Sequence, residues 1–175
     1  ELIVVDDGSS DKTVEVVNSF SDKIENLSVY SLVENKGKGH AVKYGMLRAQ
    51  GNFALFCDAD GATPFEEVAR LKKAIDDGAA VAIGSRAIFS RDTEVEAVWY
   101  RKILGRTFNG IINFLVLPGI ADTQCGFKMF NKEAYQKLFS AQKIEHFAFD
   151  VELLFLARKY AFNIAEVPIN WTNIE

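Results

Sequence analysis

A mostly parallel α/β sheet with helices on both faces is the fold class this sequence predicts, and three observations predict it. Short apolar runs, Leu2 to Val5, Leu27 to Val33, Phe53 to Cys57 and Ala79 to Gly84, each end in a polar turn. Such runs, bounded by turn residues, read as strands buried on both faces. A stretch with helical periodicity or helix-start signals follows most of them, and no two-residue hairpin signal joins one run to the next. The chain has 175 residues, 49% hydrophobic and 25% charged, which suits one globular domain with a single sizeable core.

The first strand, Leu2 to Val5, runs into Asp6-Asp7-Gly8-Ser9-Ser10-Asp11, a turn rich in capping residues, and a helix is expected from Lys12 to about Phe20 with Val14, Val17 and Phe20 inward. Leu27 to Val33 empties into Glu34-Asn35-Lys36-Gly37-Lys38-Gly39-His40, with a helix from Ala41 to Ala49 closed by Gly51. Two glycines let backbone amides approach a phosphate closely, and Lys36 and Lys38 add positive charge beside a helix N-terminus. A solvated basic turn has the same composition.

Phe53-Ala54-Leu55-Phe56-Cys57-Asp58-Ala59-Asp60-Gly61 is the stretch the chain is organised around. Side chains at i and i+2 of an extended segment share a side, so Asp58 and Asp60 can converge at the carboxyl edge, where open α/β sheets bind ligands. Convergent hard oxygens suit Mg²⁺ or Mn²⁺, which takes one or two protein carboxylates and completes its shell with water and phosphate. A polar turn capping the next helix is the competing reading. Thr63-Pro64-Phe65-Glu66 reads as N-cap, first-turn Pro and capping-box Glu of a helix to about Asp77. Ala79 to Gly84 then ends in Ser85-Arg86, expected on the same edge as Asp6, Asp58 and Asp60.

Val98 to Leu117 reads as one helix, either packed on the core or lying at a membrane interface with Trp99, Tyr100 and Arg101 among head groups. Asp122-Thr123-Gln124-Cys125-Gly126-Phe127-Lys128 leads into a strand from Phe127 to Phe130, then a helix from Lys132 to Phe139. Asp150 opens a helix over Val151 to Tyr160, and Ile164 to Ile169 is the last strand. The net charge of -4 and pI near 5.3 argue against a nucleic-acid partner. Cys57 and Cys125 lack metal-ligand spacing and read as reduced structural thiols, and His40 and His146 as ordinary loop residues. No run is apolar enough over a span's length to cross a bilayer.

Taken in order, Val5 to Asp11, Glu34 to Gly39, Asp58 to Thr63, Gly84 to Arg86, Asp122 to Lys128 and Phe149 to Leu153 resemble the blocks of inverting family 2 glycosyltransferases of GT-A fold. More narrowly, Asp122-Thr123-Gln124-Cys125-Gly126-Phe127-Lys128 and Asn170-Trp171-Thr172 resemble the dolichyl-phosphate β-glucosyltransferases, relatives of dolichyl-phosphate mannose synthase. The resemblance implies a hexosyltransferase moving glucose from UDP-glucose to a polyprenyl (dolichyl) phosphate, at the cytoplasmic face of a membrane, the endoplasmic reticulum in a eukaryote or the plasma membrane in a prokaryote. It implies donor contacts from Asp6, Asp7, Lys36, Gly37, Lys38, Asp58, Ala59 and Asp60, with Asp58 and Asp60 holding Mg²⁺ or Mn²⁺. Arg86 and Arg101 match acceptor-phosphate positions, and Asp60, Arg86 and Asp150 match catalytic ones. The chain departs from the family at Gly105, where mannose synthases tend to have Ser, and in lacking a first strand with a Pro-x-x-Asn-Glu block; residues 1–175 are expected to form one catalytic domain without that strand or flanking membrane helices. Another donor such as GDP-mannose, an undecaprenyl-type acceptor, a sugar nucleotidyltransferase, or a catalytically silent sugar-nucleotide-binding module are the alternatives.

Overall fold

The computed structural model describes residues 1–96, 110, 112–113 and 116–174, so most of the helix expected over 98–117, with Trp99, Tyr100, Arg101 and Gly105, lies outside the described residues. The element order is β1 (Leu2–Asp6), α1 (Thr13–Asn18), β2 (Leu27–Ser31), α2 (Lys38–Met46), β3 (Phe53–Cys57), a 3-10 turn (Phe65–Glu67), α3 (Val68–Asp76), β4 (Val81–Ser85) and β5 (Val95–Glu96). Then come β6 (Phe127–Asn131), α4 (Lys132–Ala141), α5 (Phe149–Lys159), β7 (Ile164–Pro168) and β8 (Trp171–Thr172).

The central sheet has the order β3-β6-β4-β7, and β6 runs antiparallel between two strands that sequence periodicity alone would make neighbours. Strand β4 is buried along its whole length. Its alternation separates two apolar layers: Val81 and Ile83 face α4 and α5 with Phe56, Phe130, Leu138 and Leu153, while Ala82 faces α3 with Leu71, Phe127 and Met129. Phe130 packs edge-on to Phe139 at 5.3 Å and stacks on Phe56 at 6.1 Å, contacts of roughly 0.5–1.5 kcal/mol each beyond burial. The Asn131 side chain accepts the Ala134 amide and starts α4 where a capping residue should.

Strands β1 and β2 form a separate parallel pair, in register from Leu2 opposite Leu27 to Asp6 opposite Ser31. One edge of β1 and one edge of β3 pair with no strand among the described residues. Between them runs a slot of about 810 Å³, lined by Ile3 and Val5 of β1, Ala54 and Phe56 of β3, and Ala41 and Val42 of α2. Helix α2 packs on both strands and is their common support. Its close approach to β1 is possible because Gly45 has no Cβ, which would stand 3.1 Å from Val5.

Two local expectations fail for stated reasons. The capping box at Thr63 does not form: Pro64 is extended at ψ 136°, no side chain caps the turn, and the helix begins only at Val68. Helix α1 buries nothing and Phe20 is 43% exposed, because the β1-β2 pair offers it too little surface to pack against.

The free edges carry a testable consequence. Amides of β1 and β3 that point into the slot should exchange with solvent deuterium far faster than those of β4, by a factor of about 100 or more, since no strand among the described residues pairs with them and their exchange needs no opening of a ladder. Uniform protection across all these strands, measured by native-state exchange, would contradict a sheet in two parts.

Candidate active site

Asp6 closes its own turn. Its carboxylate accepts the Ser9 amide at 3.1 and 3.2 Å and the Ser31 hydroxyl at 2.8 Å, and it is buried. These hydrogen bonds, that from Ser9 first, hold its pKa below the usual carboxylate value. Asp7 reaches the other loop: its oxygens accept the Lys36 amide at 3.0 Å and the Gly37 amide at 2.8 Å. Asp6 therefore serves the loop, and Asp7 takes two amides that the sequence offers to a phosphate. The glycines of that loop serve packing too. A Cβ on Gly37, which has φ 100°, would meet His146 Nδ1 at 2.2 Å, and one on Gly39 would meet the Phe149 Cβ at 2.8 Å. They let the start of α2 lie flat against residues 144–149, and His40 adds a 3.2 Å contact to Glu145.

Beyond Asp7 the slot opens onto Lys38, Asp58, Ala59 and His146. Lys38 Nζ lies 2.6 Å from Asp58 Oδ1. Asp58 lies against Gly126 of the antiparallel connection: its amide donates to the Gly126 carbonyl at 2.9 Å, and a Cβ there would stand 2.1 Å from Asp58 Oδ2. Asp60 accepts the Ala62 amide at 2.9 Å through Oδ1. On its other side Asp58 borders a second cavity of about 80 Å³ shared with Asp60, Thr63, Arg86 and Trp171.

Two ion pairs floor this region, one buried on both sides and one buried at its carboxylate. Lys128 is fully buried, donates to Asp150 Oδ1 at 2.5 Å and to the Cys125 carbonyl, and sits 5.5 Å over the Phe56 ring. Asp150, in the first turn of α5, has its pKa raised by burial, which Lys128 only partly offsets. Arg86 donates from Nε at 2.7 Å and Nη2 at 3.0 Å to the two oxygens of Asp122, a planar fork on a buried carboxylate. Burial opposes charge on both partners, yet the pairing wins: the Asp122 pKa is lowered and that of Arg86 raised. Asp122 is set in turn by Glu166, which accepts the amides of Ala121 and Asp122 and the Ser85 hydroxyl. The Cys125 thiol beneath them is pushed up to about 12 by burial and by Asp122, so it stays protonated and inert.

Of the residues singled out in the sequence, Asp7, Gly37, Lys38, Asp58 and Ala59 line one opening, and Asp58, Asp60 and Arg86 line the adjoining one. Asp150 lines neither opening and is buried against Lys128. Lys36 turns away to Glu34 at 3.2 Å, Asp6 lines neither cavity, and Arg101 lies outside the described residues. No cluster of three or more His, Cys, Asp or Glu side chains suited to a metal exists among the described residues. Two carboxylates on one small polar cavity are nevertheless the donor set that Mg²⁺ or Mn²⁺ takes when phosphate supplies the rest. Lys128, Asp122 and Gly126 carry much of the geometry, yet the sequence block that contains them carries no site role in the reading above. The signal for Lys128 was its place in an apolar strand, where period two puts it on the same face as Phe130.

The glycosyl transferase family 2 profile matches residues 1–139. The chain is 42% identical over 183 residues to the dolichyl-phosphate beta-glucosyltransferase of Homo sapiens, covering 100% of this chain and 56% of that protein. It is 35% identical over 192 residues to the Saccharomyces cerevisiae protein of the same name, covering 100% and 58%. The chain thus spans little more than half the length of the curated relatives it matches. In fold it is similar to glucosyl-3-phosphoglycerate synthase from Mycobacterium tuberculosis, solved with Mn²⁺, uridine diphosphate and glucosyl-3-phosphoglycerate, with a TM-score of 0.73, 19% identity, and coverage of 100% of this chain and 62% of that one.

Two outcomes follow from the ion pairs. Lys128→Met strands a buried carboxylate and should cost about 3–5 kcal/mol in urea unfolding, while Lys128→Met with Asp150→Leu should recover most of that; an undamaged single variant would mean the pair is not buried as described. Asp122, with its folded pKa lowered, contributes stability present above the ordinary carboxylate value and lost as pH falls through its folded pKa. Asp122→Asn should therefore flatten the acid limb of a stability profile below about pH 4, read from denaturant midpoints.

Proposed function

The chain belongs to glycosyl transferase family 2, and we propose that it moves glucose from UDP-glucose to a dolichyl or related polyprenyl phosphate, with inversion at the anomeric carbon, at the cytoplasmic face of a membrane. The observation that supports this most directly is that Asp58 belongs to two adjoining openings, one leading to Asp7 and Lys38, the other to Asp60 and Arg86. A nucleoside diphosphate sugar laid across Asp58 would place its nucleotide toward Asp7 and its sugar toward Arg86. The names of the relatives support the acceptor and the sugar. For the membrane, Phe89 follows Arg86 by three residues and is 88% exposed. No helix among the described residues is long and apolar enough to cross a bilayer.

In the reaction an oxygen of the lipid phosphate attacks C1 of glucose as the bond from C1 to the UDP oxygen breaks, its electrons leaving with UDP. A phosphate monoester has a second pKa of roughly 6, so near neutral pH it is already largely dianionic and needs no strong base. The work left to the protein is to hold two anions close together and in line. A divalent cation held by Asp58 and Asp60 would supply neutralisation of the departing diphosphate. Lys38, at the first turn of α2 and 2.6 Å from Asp58, adds a point charge on the same side. Arg86, fixed by Asp122, presents its remaining nitrogen to the incoming phosphate. Asp150 acts as an orienting group for the acceptor side, its position set by Lys128.

The ion pair of Lys38 with Asp58, which occupies one of the two carboxylates assigned to the metal, favours a second reading, in which residues 1–175 bind a sugar nucleotide without turning it over. A transfer assay with a short polyprenyl phosphate, comparing UDP-glucose with GDP-mannose and run beside calorimetry with UDP-glucose and Mn²⁺, separates the two. Turnover with UDP-glucose supports the transferase, and binding alone supports the silent module.

Two variants probe the carboxylates. Asp60→Ala should leave the melting curve unchanged while lowering metal-dependent turnover about 100-fold or more, the scale of losing one preorganised electrostatic group. Gly126→Ala should fold, because Asp58 can swing aside, yet weaken Mn²⁺ binding about 10-fold, since a coordinating oxygen leaves its place. Full turnover in the first, or unchanged Mn²⁺ affinity in the second, removes the metal assignment.

A further inference from the structure

We propose that Trp171 is a positioning residue for Arg86, holding the guanidinium in the one orientation that aims its free edge at a phosphate monoester. This rests on the reading of Arg86 as an acceptor-phosphate ligand. Asn170-Trp171-Thr172 stands out in the sequence, and nothing in the proposed chemistry above uses it.

Strand β8 is only two residues long, yet its surroundings pin it on every side. The Trp171 amide donates to Glu94 at 3.0 Å and the Thr172 amide to Ala62 at 2.9 Å, while Ile169 is held to Ser85 at 3.3 Å. The Asn170 side chain accepts the Glu94 amide at 2.8 Å and donates to the buried Glu67 at 2.6 Å. All this fixes Trp171 in the wall of the small cavity, which it lines together with Asp58, Asp60 and Arg86. The Arg86 guanidinium carbon lies 5.4 Å from the indole centroid, within cation–π range, and Trp is the ring that binds a cation best.

The need for a second restraint follows from the first. Asp122 holds Arg86 through Nε and Nη2, two bonds along one edge. A planar group held along one edge can still rock about that edge, sweeping Nη1 through an arc. The indole, whose centroid lies 5.4 Å from the guanidinium carbon, is the group placed to limit that sweep. Because Asp122 already offsets the positive charge of Arg86, what remains useful is direction: one well-aimed donor for a tetrahedral phosphate, worth most when it does not have to be ordered on binding.

The test is calorimetry on the full chain with geranyl phosphate and, separately, inorganic phosphate, with UDP-glucose plus Mn²⁺ as a third ligand. Trp171→Ala should weaken both phosphates by a similar factor of about 10, and Trp171→Phe by no more than about 3-fold, as a poorer but still flat ring. Affinity for UDP-glucose and the melting temperature should stay at their wild-type values in the Phe variant. Unchanged phosphate affinity in Trp171→Ala overturns the proposal. So does weakening confined to geranyl phosphate, which would place the indole on the lipid tail instead. Equal loss of all three ligands in both variants would mean a merely structural tryptophan. Arg86→Ala binding both phosphates as wild type would remove the underlying role of Arg86 as well, which separates the two failures.

Discussion

A charge withdrawn from water must be met by an opposite charge or by several hydrogen bonds, and the carboxyl edge of this sheet is arranged around that requirement. Asp150 is met by Lys128, Asp122 by Arg86 and Asp58 by Lys38. The first pair is buried throughout, the second only at its carboxylate, and the third is partly open on both sides, so the site grades from a rigid floor to an adjustable rim. Apolar residues of similar volume would serve stability at least as well as a buried ion pair. The retention of Lys128 in the middle of an otherwise apolar strand face therefore points to geometry as its purpose.

The antiparallel strand β6 is what makes that geometry possible. Entering between β3 and β4, it brings Gly126 against Asp58 and Lys128 under Asp150, so one short segment sets two carboxylates that are distant in the chain. Its connection from the preceding loop carries Asp122, whose fork on Arg86 depends on the amides that Glu166 of β7 holds in place. Four elements thus meet around a cavity no larger than a few water molecules.

How far the sequence disclosed this depended on whether local order or long-range packing decided the matter. Asp58-Ala59-Asp60 was legible as two carboxylates at a strand end, although β3 stops at Cys57 and it is the following turn that brings both to the small cavity; α4 was legible because a good cap, Asn131, precedes a strongly patterned helix. The insertion of β6 was not, since nothing in a strand's own residues tells which neighbours it will choose. Gly37 and Gly39 read as a phosphate loop, but their close neighbours are His146 and Phe149, more than a hundred residues on. Asp6, expected as a donor contact, accepts from Ser9 and Ser31, a turn-closing role that its sequence position did not disclose, because an acidic residue at a strand end serves a turn as readily as a substrate. At Thr63 the capping signal was present and lost to Pro64, whose extended backbone carries the chain past the first turn.

Helix α2 couples two contacts of the site that lie on different strands. Its N-terminal cap, Gly37, donates to Asp7 and its first residue, Lys38, reaches Asp58, while Gly45 further along rests close to Val5 of β1. A displacement of this one helix moves both contacts together, so a substitution at Gly45, well away from either carboxylate, would be felt at each of them through the helix and not through any group it touches directly.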